Sequence, residues 1–179
     1  FIQAQQLSFE NYSLKEGLVN NEVQCLFQDS KGYIWIGTTD GVSRFDGQKF
    51  RNFFLEDSIR GVPVSFVNTI SEDSCSNIWM GLHFFEGAVQ FQLEEETFKA
   101  VEFPVKTEHS PPVPANYIQT VFRDSRNRTW IGTNRGLYRY EDGEYIPVPI
   151  DTSGGVQYIT SIYEDSSGDF WIAAETGVY

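Results

Sequence analysis

Histidine and cysteine are scarce in this chain of 179 residues, with two of each. His83 and His109 are too few and too far apart to form a metal-ligand set, so no metal is expected. Cys25 and Cys75 stand ten and four residues before the next tryptophan, unlike positions that neither require nor forbid a disulfide. No nucleophile–base pair, phosphate-cradling loop or cofactor fingerprint is found, so no cofactor is expected. No apolar run is long enough to span a bilayer, and no stretch reads as a helix of ordinary length. Basic residues are few: 13 Lys and Arg against 25 Asp and Glu give a net charge of −12. That excess argues against nucleic acid and anionic membrane surfaces as partners. The acids are scattered or in short clusters such as Glu94-Glu95-Glu96, the pattern of a solvated surface.

What the chain does have is repetition. Gln28-Asp29-Ser30-Lys31-Gly32-Tyr33-Ile34-Trp35-Ile36-Gly37 returns three times. Asp73-Ser74 leads to Trp79-Met80-Gly81, Asp124-Ser125 to Trp130-Ile131-Gly132, and Asp165-Ser166 to Trp171-Ile172-Ala173. The Asp lies six residues before the Trp in every copy, and the Trp-to-Trp steps are 44, 51 and 41 residues. All four tryptophans are used this way. A period of that length is the mark of propeller blades, and it predicts an all-β propeller of about four four-stranded blades. With 40% hydrophobic and 16% aromatic residues, spread evenly, each repeat has its own share of core.

Each repeat reads as four strands. Strand A covers Val23 to Gln28, Val67 to Glu72, Ile118 to Arg123 and Ile159 to Glu164. Ten residues before each Trp stands a small residue, Cys25, Thr69, Thr120 or Ser161, which suits strands crowded about an axis. The A–B turn is Asp-Ser-x-Gly, with Asn127 and Ser76 in place of the glycine in repeats three and two. An Asp opening a type I turn that ends in a left-handed residue is a hairpin solution, and Ser76 fits it least well. The repeated Asp is therefore read as a turn cap, since a calcium ligand needs more oxygens at closer spacing. Strand B, Tyr33 to Ile36 and its copies, is apolar without alternation, so both faces are buried and the Trp packs between blades. Gly37, Gly81 and Gly132, with Ala173 in the last copy, leave room for a close neighbour. Strand C opens at Gly41, Gly87, Gly136 and Gly177. Asp46-Gly47 and Asp142-Gly143 turn it into strand D, Lys49 to Phe53 and Glu144 to Val148. Longer connections, Glu56 to Ser65, Pro104 to Ala115 and Pro149 to Val156, join the blades.

Blades are thus expected near residues 21–55, 65–103, 116–149 and 157–179. Leu7 to Tyr12 alternates like a half-buried strand and reads as the closing strand of a blade. The last repeat stops inside strand C. That predicts either a fragment of a larger propeller or a four-bladed ring whose missing strand comes from residues 7–12. Residues 1–6 are read as the tail of a removed export signal.

The A–B turns are uniform, while the opposite end varies from repeat to repeat. Its B–C loops are Thr38-Thr39-Asp40, Leu82 to Glu86, Thr133-Asn134-Arg135 and Ala174-Glu175-Thr176. Polar residues Asn21, Ser65, Asn116 and Gln157 enter strand A fourteen residues before each Trp. Variable polar and aromatic groups on a uniform scaffold are where a binding site is expected, and this mixture suits a sugar. The candidate ligand-binding residues are Asn21, Asp40, His83, Phe85, Asn116, Tyr117, Arg135, Gln157 and Glu175. A carbohydrate-active enzyme stays open beside this reading, because Asp40, Glu86 and Glu175 share the same end. A protein-interaction scaffold is the third.

The pattern V-x-x-[LIV]-x-x-D-S-x-[GN]-x-x-W-I-G-T-x-x-G-[LV]-x-R-[FY] resembles the two-component regulator propeller repeat. Asn21–Phe45 and Asn116–Tyr140 match it best. The lead-in Phe9-Glu10-Asn11-Tyr12, with Gly17-Leu18 and Asn20-Asn21, is also similar. The resemblance implies a periplasmic sensor segment, part of a seven-bladed propeller, of a membrane-bound hybrid histidine kinase that detects oligosaccharides. It also implies that the kinase chemistry lies outside these residues. The implied partners are an oligosaccharide or other small ligand, the remaining blades and downstream domain of the same protein, and a second copy in a homodimer. Nucleic acid and membrane contact are not expected of this segment. Ser76, the enlarged second B–C loop and Ala173 depart from the pattern locally.

Overall fold

Each repeat becomes one antiparallel sheet. The computed structural model describes residues 8–56, 63–64, 66–73, 75–82, 88–101, 117–141, 144–150 and 157–179. Blade one holds β1 (Val23–Gln28), β2 (Ile34–Thr38), β3 (Gly41–Phe45) and β4 (Phe50–Phe53) in sequence order. A two-residue ladder, β5 (Leu55–Glu56) with β6 (Pro63–Val64), follows inside the connection that reads as irregular in sequence. Blade two holds β7 (Val67–Glu72), β8 (Ile78–Leu82), β9 (Ala88–Gln92) and β10 (Thr97–Val101). Blade three holds β11 (Ile118–Arg123), β12 (Thr129–Thr133), β13 (Gly136–Glu141) and β14 (Glu144–Val148). Blade four has three strands, β15 (Ile159–Glu164), β16 (Phe170–Ala174) and β17 (Gly177–Val178). Strand A falls on the expected residues in all four copies, and no helix occurs among the described residues.

Neighbouring first strands, β1 with β7, β7 with β11 and β11 with β15, lie against one another and form the inner wall of a propeller arrangement. Each carries a bulge between the residues twelve and ten before its Trp, at Val23/Cys25, Val67/Thr69, Ile118/Thr120 and Ile159/Ser161. A bulge bends the strand and raises its twist, as crowding at an axis requires. The small residue after the bulge is the cross-strand partner of the glycine after the Trp, as Thr120 is of Gly132. Into that gap comes the next blade: a β-carbon on Gly81 would stand 2.6 Å from Ile118 Cγ2, and one on Gly132 2.6 Å from Ile159 Cγ2. The glycines therefore set the spacing between blades.

The core is built between sheets. Trp35 clusters with Val67, Ile70, Met80 and Phe91 of blade two, Trp79 with Ile118, Val121 and Ile131 of blade three, and Trp130 with Ile159, Ile162 and Ile172 of blade four. Each Trp thus faces the blade that follows it. Removing an aliphatic side chain of this kind from water contributes about 1.5–3 kcal/mol, so each interface is a small hydrophobic core of its own.

The N-terminal reading needs correction. Residues 8–12 form no strand and pair with no sheet, and Leu7 lies outside the described residues. The segment does not complete blade four. It packs on blade one, where the Tyr12 ring stands 5.1 Å from Phe45 and 5.6 Å from Phe50. Sequence alternation marks a strand but does not say which sheet edge receives it.

Candidate functional site

The two ends of the blades differ in how fully the fold uses their polar groups. At the A–B turn end, Asp29 Oδ1 accepts from the amides of Lys31 (3.0 Å) and Tyr33 (2.9 Å). Its Oδ2 accepts from the Trp35 indole N–H at 2.8 Å. Asp73 with Trp79, Asp124 with Trp130 and Asp165 with Trp171 repeat the indole bond at 2.8, 2.9 and 3.0 Å. The turn closes by the amide of the third residue on donating to the Asp carbonyl, and that residue has positive φ in every copy: Gly32 (90°), Ser76 (61°), Asn127 (64°) and Gly168 (85°). Ser76 thus adopts the turn it fits least well by composition. At Asp165 the Trp171 indole and the Asp169 and Ser167 amides favour the charged carboxylate and hold it below its usual range. At Asp124 burial pushes the other way, but the Trp130 indole and Arg128, whose Nε lies 2.6 Å from Oδ2, hold the carboxyl below its usual range.

The Ser of the Asp-Ser pair, to which sequence reasoning gave no role, joins blade to blade. Glu72, the last residue of β7, reaches back so that Ser30 donates its amide to Oε2 (2.9 Å) and its hydroxyl to Oε1 (2.6 Å). Glu164 holds Ser125 in the same way, at 2.6 and 2.8 Å. Between blades two and three, Arg123 occupies the Glu position and donates to the Asp73 carbonyl at 3.0 Å. Charge-assisted bonds of this kind are about twice as strong as neutral ones. The carboxylates and indoles of the repeat are thus engaged within their own hairpins, and Gly37, Gly81 and Gly132 face the following blade.

At the opposite end, one backbone bond recurs: the first residue after strand B and its threonine position donates to the residue preceding strand A. It runs from Thr39 to Glu22 (3.2 Å), from Asn134 to Tyr117 (3.2 Å) and from Glu175 to Tyr158 (3.0 Å). Thr38 and Thr133 pin their loops by donating to the Gly41 and Gly136 carbonyls and accepting from the Asp40 and Arg135 amides. Several candidate side chains are spent on this framework. Asn21 accepts from the Leu14 amide at 2.9 Å, the Asp40 carboxylate accepts from the Asn20 amide group, and buried Gln157 accepts from the Thr176 hydroxyl. The half-buried Tyr117 has its amide bound to Asn134 Oδ1 at 3.1 Å. By contrast, the side chains of Arg135 and Glu175 make no hydrogen bond or ion pair among the described residues. His83, Phe85 and Asn116 lie outside the described residues.

The bulges add a row that spacing alone did not single out. Gln24, Asn68, Gln119 and Thr160 are the bulged residues of the inner strands, polar in every copy. Asn68 donates to the Ile118 carbonyl (3.5 Å) and to Gln119 Oε1 (3.3 Å), while Gln119 Nε2 is buried without a hydrogen-bond acceptor. The signal was visible as a polar residue eleven before each Trp. Two of the hollows among the described residues lie elsewhere. One of about 200 Å³ is lined by Tyr33, Arg44, Asp46, Lys49 and Arg51, where Glu96 of blade two bridges Arg44 (3.4 Å) and Arg51 (2.6 Å). The other, about 420 Å³, lies among Lys31, Cys75, Asn77 and Gln92 near the A–B turn of blade two.

Comparison with known proteins agrees with the repeat. The family model described as two component regulator propeller matches residues 17–40, 112–135 and 153–176. Histidine kinase P4 of Formosa agariphila is 28% identical over 160 residues, which is 84% of this chain and 11% of that protein. The extracellular domain of a one component system from B. thetaiotaomicron superposes with a TM-score of 0.70 at 21% identity, over 92% of this chain and 22% of that one. The extracellular domain of a hybrid two component system from the same organism gives 0.68 at 18% identity, over 94% and 30%. Virginiamycin B lyase from Staphylococcus aureus gives 0.66 at 14% identity, over 91% and 56%. At these identities the three structures share the fold. This chain thus spans about a tenth of the kinase's length and less than a third of the two sensor domains.

Proposed function

We propose that this chain, whose repeats belong to the two-component regulator propeller family, is an extracytoplasmic, ligand-sensing segment of a hybrid two-component sensor kinase, and that its ligand is an oligosaccharide. The reading is carried by the contrast between the two ends. Asp, Trp and Ser of the repeat are consumed in bonds within and between blades, so they are scaffold. Arg135 and Glu175 stand uncommitted on loops that differ from blade to blade, at the same end of the blades as the bulge residues Asn68 and Gln119. A carboxylate, a guanidinium and amides on one rim recognise hydroxyl-rich ligands through paired donors and acceptors. The extracellular placement of the two B. thetaiotaomicron domains and the kinase name of the Formosa relative support the location and the signalling role.

In this role the segment performs no chemistry. Ligand binding favours one placement of the propeller against its neighbours in the longer protein, and that bias crosses the membrane as a change in kinase geometry. The purified chain, titrated calorimetrically with a panel of neutral and acidic oligosaccharides while products are followed by chromatography, tests the reading. Saturable binding without new products is expected, weakened about tenfold (~1.4 kcal/mol) by Arg135→Ala or Glu175→Ala. Turnover abolished by Asp40→Ala or Glu175→Ala would make the protein an enzyme. A chain that binds no saccharide would remove the ligand from these blades.

A further inference from the structure

On β3 and β4 of blade one, Arg44 and Arg51 are cross-strand partners, so two guanidinium groups stand directly opposite each other on one face of the sheet. Like charges in that relation destabilise a sheet unless a negative group lies between them. The equivalent pairs are Gln90 with Lys99 in blade two and Arg139 with Ile146 in blade three, so neither of those blades opposes two cations. Aromatic rings hold both groups in blade one. The Arg44 guanidinium lies 4.6 Å from the centre of the Tyr33 ring, and that of Arg51 lies 5.1 Å from the centre of the Phe53 ring. Stacking of this kind orients a guanidinium before any ligand arrives.

The fold provides one counter-charge, and it matches the pair poorly. A single oxygen of blade two, Glu96 Oε1, serves both, at 2.6 Å from Arg51 and 3.4 Å from Arg44. Glu96 Oε2 accepts no hydrogen bond among the described residues. Arg44 is left worse off. Its side chain is only 12% exposed, and the 3.4 Å contact is the one hydrogen bond its guanidinium makes among the described residues, although it carries five N–H donors. Lys49 adds a third positive charge. Its ammonium acts through space on Asp46 but donates no hydrogen bond among the described residues. Asp46 serves its own turn, where Oδ1 accepts from the Gln48 and Lys49 amides at 2.8 Å each. Tyr33, Arg44, Asp46, Lys49 and Arg51 line the hollow of about 200 Å³ already described. Three of the 13 basic side chains of a chain with net charge −12 thus converge on one place.

We propose that this hollow is a binding site for an oxyanion group, a sulfate, phosphate or carboxylate. Arg44 takes it through its unpaired N–H fork, which matches two oxygens of such a group. Lys49 faces it as a point charge, and Arg51 is shared between the anion and Glu96. The bound anion supplies the negative charge that the opposed guanidiniums lack. Tyr33 begins strand B and Arg44 ends strand C, so the hollow lies at the turn end of the blades. It is separate from the rim of Arg135 and Glu175, and the site stands whether or not that rim binds a saccharide.

Sodium sulfate, titrated into the chain at fixed ionic strength, tests the proposal, with the arginine Nε–H signals of a nitrogen–proton correlation spectrum as the readout. Saturable shifts are expected at Arg44 and Arg51. Arg44→Gln introduces the residue that blade two carries at that position, and Lys49→Gln alters only an exposed side chain on the turn. Each is expected to weaken binding about tenfold, the scale of one hydrogen bond to a charged group. Glu96→Gln, which removes the competing carboxylate, is expected to tighten it. Glucose 6-sulfate then separates two sources of the same group. Affinity equal to that of sulfate marks a site for the free ion, and tighter binding marks a site for an anionic group carried on a sugar. Shifts that never saturate at fixed ionic strength, or a Kd left unchanged by Arg44→Gln and Lys49→Gln, would overturn the proposal.

Discussion

The Trp35 indole N–H donates to Asp29 Oδ2 at 2.8 Å, and no second donor reaches that oxygen among the described residues. Asp73 Oδ2 is held differently, by Trp79 at 2.8 Å, Asn77 Nδ2 at 3.0 Å and Gln90 Nε2 at 3.1 Å. Both tryptophans are fully buried. Replacing each with phenylalanine removes the same donor and a similar volume, but only Asp29 is left with an unpaired buried oxygen, which costs about 1–3 kcal/mol. Trp35→Phe is therefore expected to destabilise the chain more than Trp79→Phe by about that amount, read as a difference in urea midpoint at unchanged slope. Equal losses would mean that the indole bond contributes nothing beyond packing.

The Ser–Glu clamps are expected to couple the blades energetically. In a double-mutant cycle, Ser30→Ala and Glu72→Ala should show an interaction of roughly 1 kcal/mol, within the range for contacting residues. The equivalent cycle at Ser125 and Glu164 should give less, because that pair is more exposed and better screened. Additive losses at both sites would reduce the clamps to incidental contacts.

Spacing between blades should be intolerant of a single methyl group. Gly132→Ala places a β-carbon 2.6 Å from both Ile159 Cγ2 and Thr120 Cγ2. Overpacking of this kind costs about 1–3 kcal/mol. Ala173, at the same position of blade four, carries that methyl on a face that no blade among the described residues covers. Reversing it with Ala173→Gly should therefore change thermal stability far less than Gly132→Ala does.

The two cysteines are both free, which leaves no disulfide between them, and they should react very differently. Burial pushes the Cys25 thiol up to about 11, and its Sγ lies 3.8 Å from the Val67 carbonyl. Cys75 is exposed on its turn. Since the thiolate is the nucleophile, its fraction at Cys25 rises only as pH approaches that raised value. Alkylation of the folded chain at neutral pH, read by peptide mass spectrometry, should mark Cys75 and spare Cys25. Unfolding, or a pH near 11, should expose the second site. Equal labelling at neutral pH would mean that blades one and two separate in solution.

Much of this was legible in the sequence because the repeat supplies its own internal control. Strand A could be placed to the residue, since a position held small or β-branched in four copies leaves no choice of register. The turn role of Asp was legible from Gly32 and Gly168. Its bond to the indole was not, because it forms across a hairpin whose geometry brings together residues six apart. The Ser30–Glu72 clamp was hidden for a plainer reason: it joins neighbouring blades, and Arg123 breaks the pattern in one of the interfaces. Residues 8–12 misled because alternation reports a face and not a partner. Among the candidate ligand residues, Asn21, Asp40 and Gln157 are polar in a way that serves the loop framework, and sequence cannot separate that use from ligand binding. Arg135 and Glu175 differ from them only in what they fail to touch.

The central claim is that the repeat motif is scaffold and the opposite rim is the site. The four indole N–H groups report on the first and the amides of Tyr117, Arg135 and Glu175 on the second, all in one nitrogen–proton correlation spectrum. Titration with an oligosaccharide that binds should move the rim amides and leave the indole signals of Trp35, Trp79 and Trp130 in place. Shifts concentrated on those indoles, with the rim unmoved, would contradict the account.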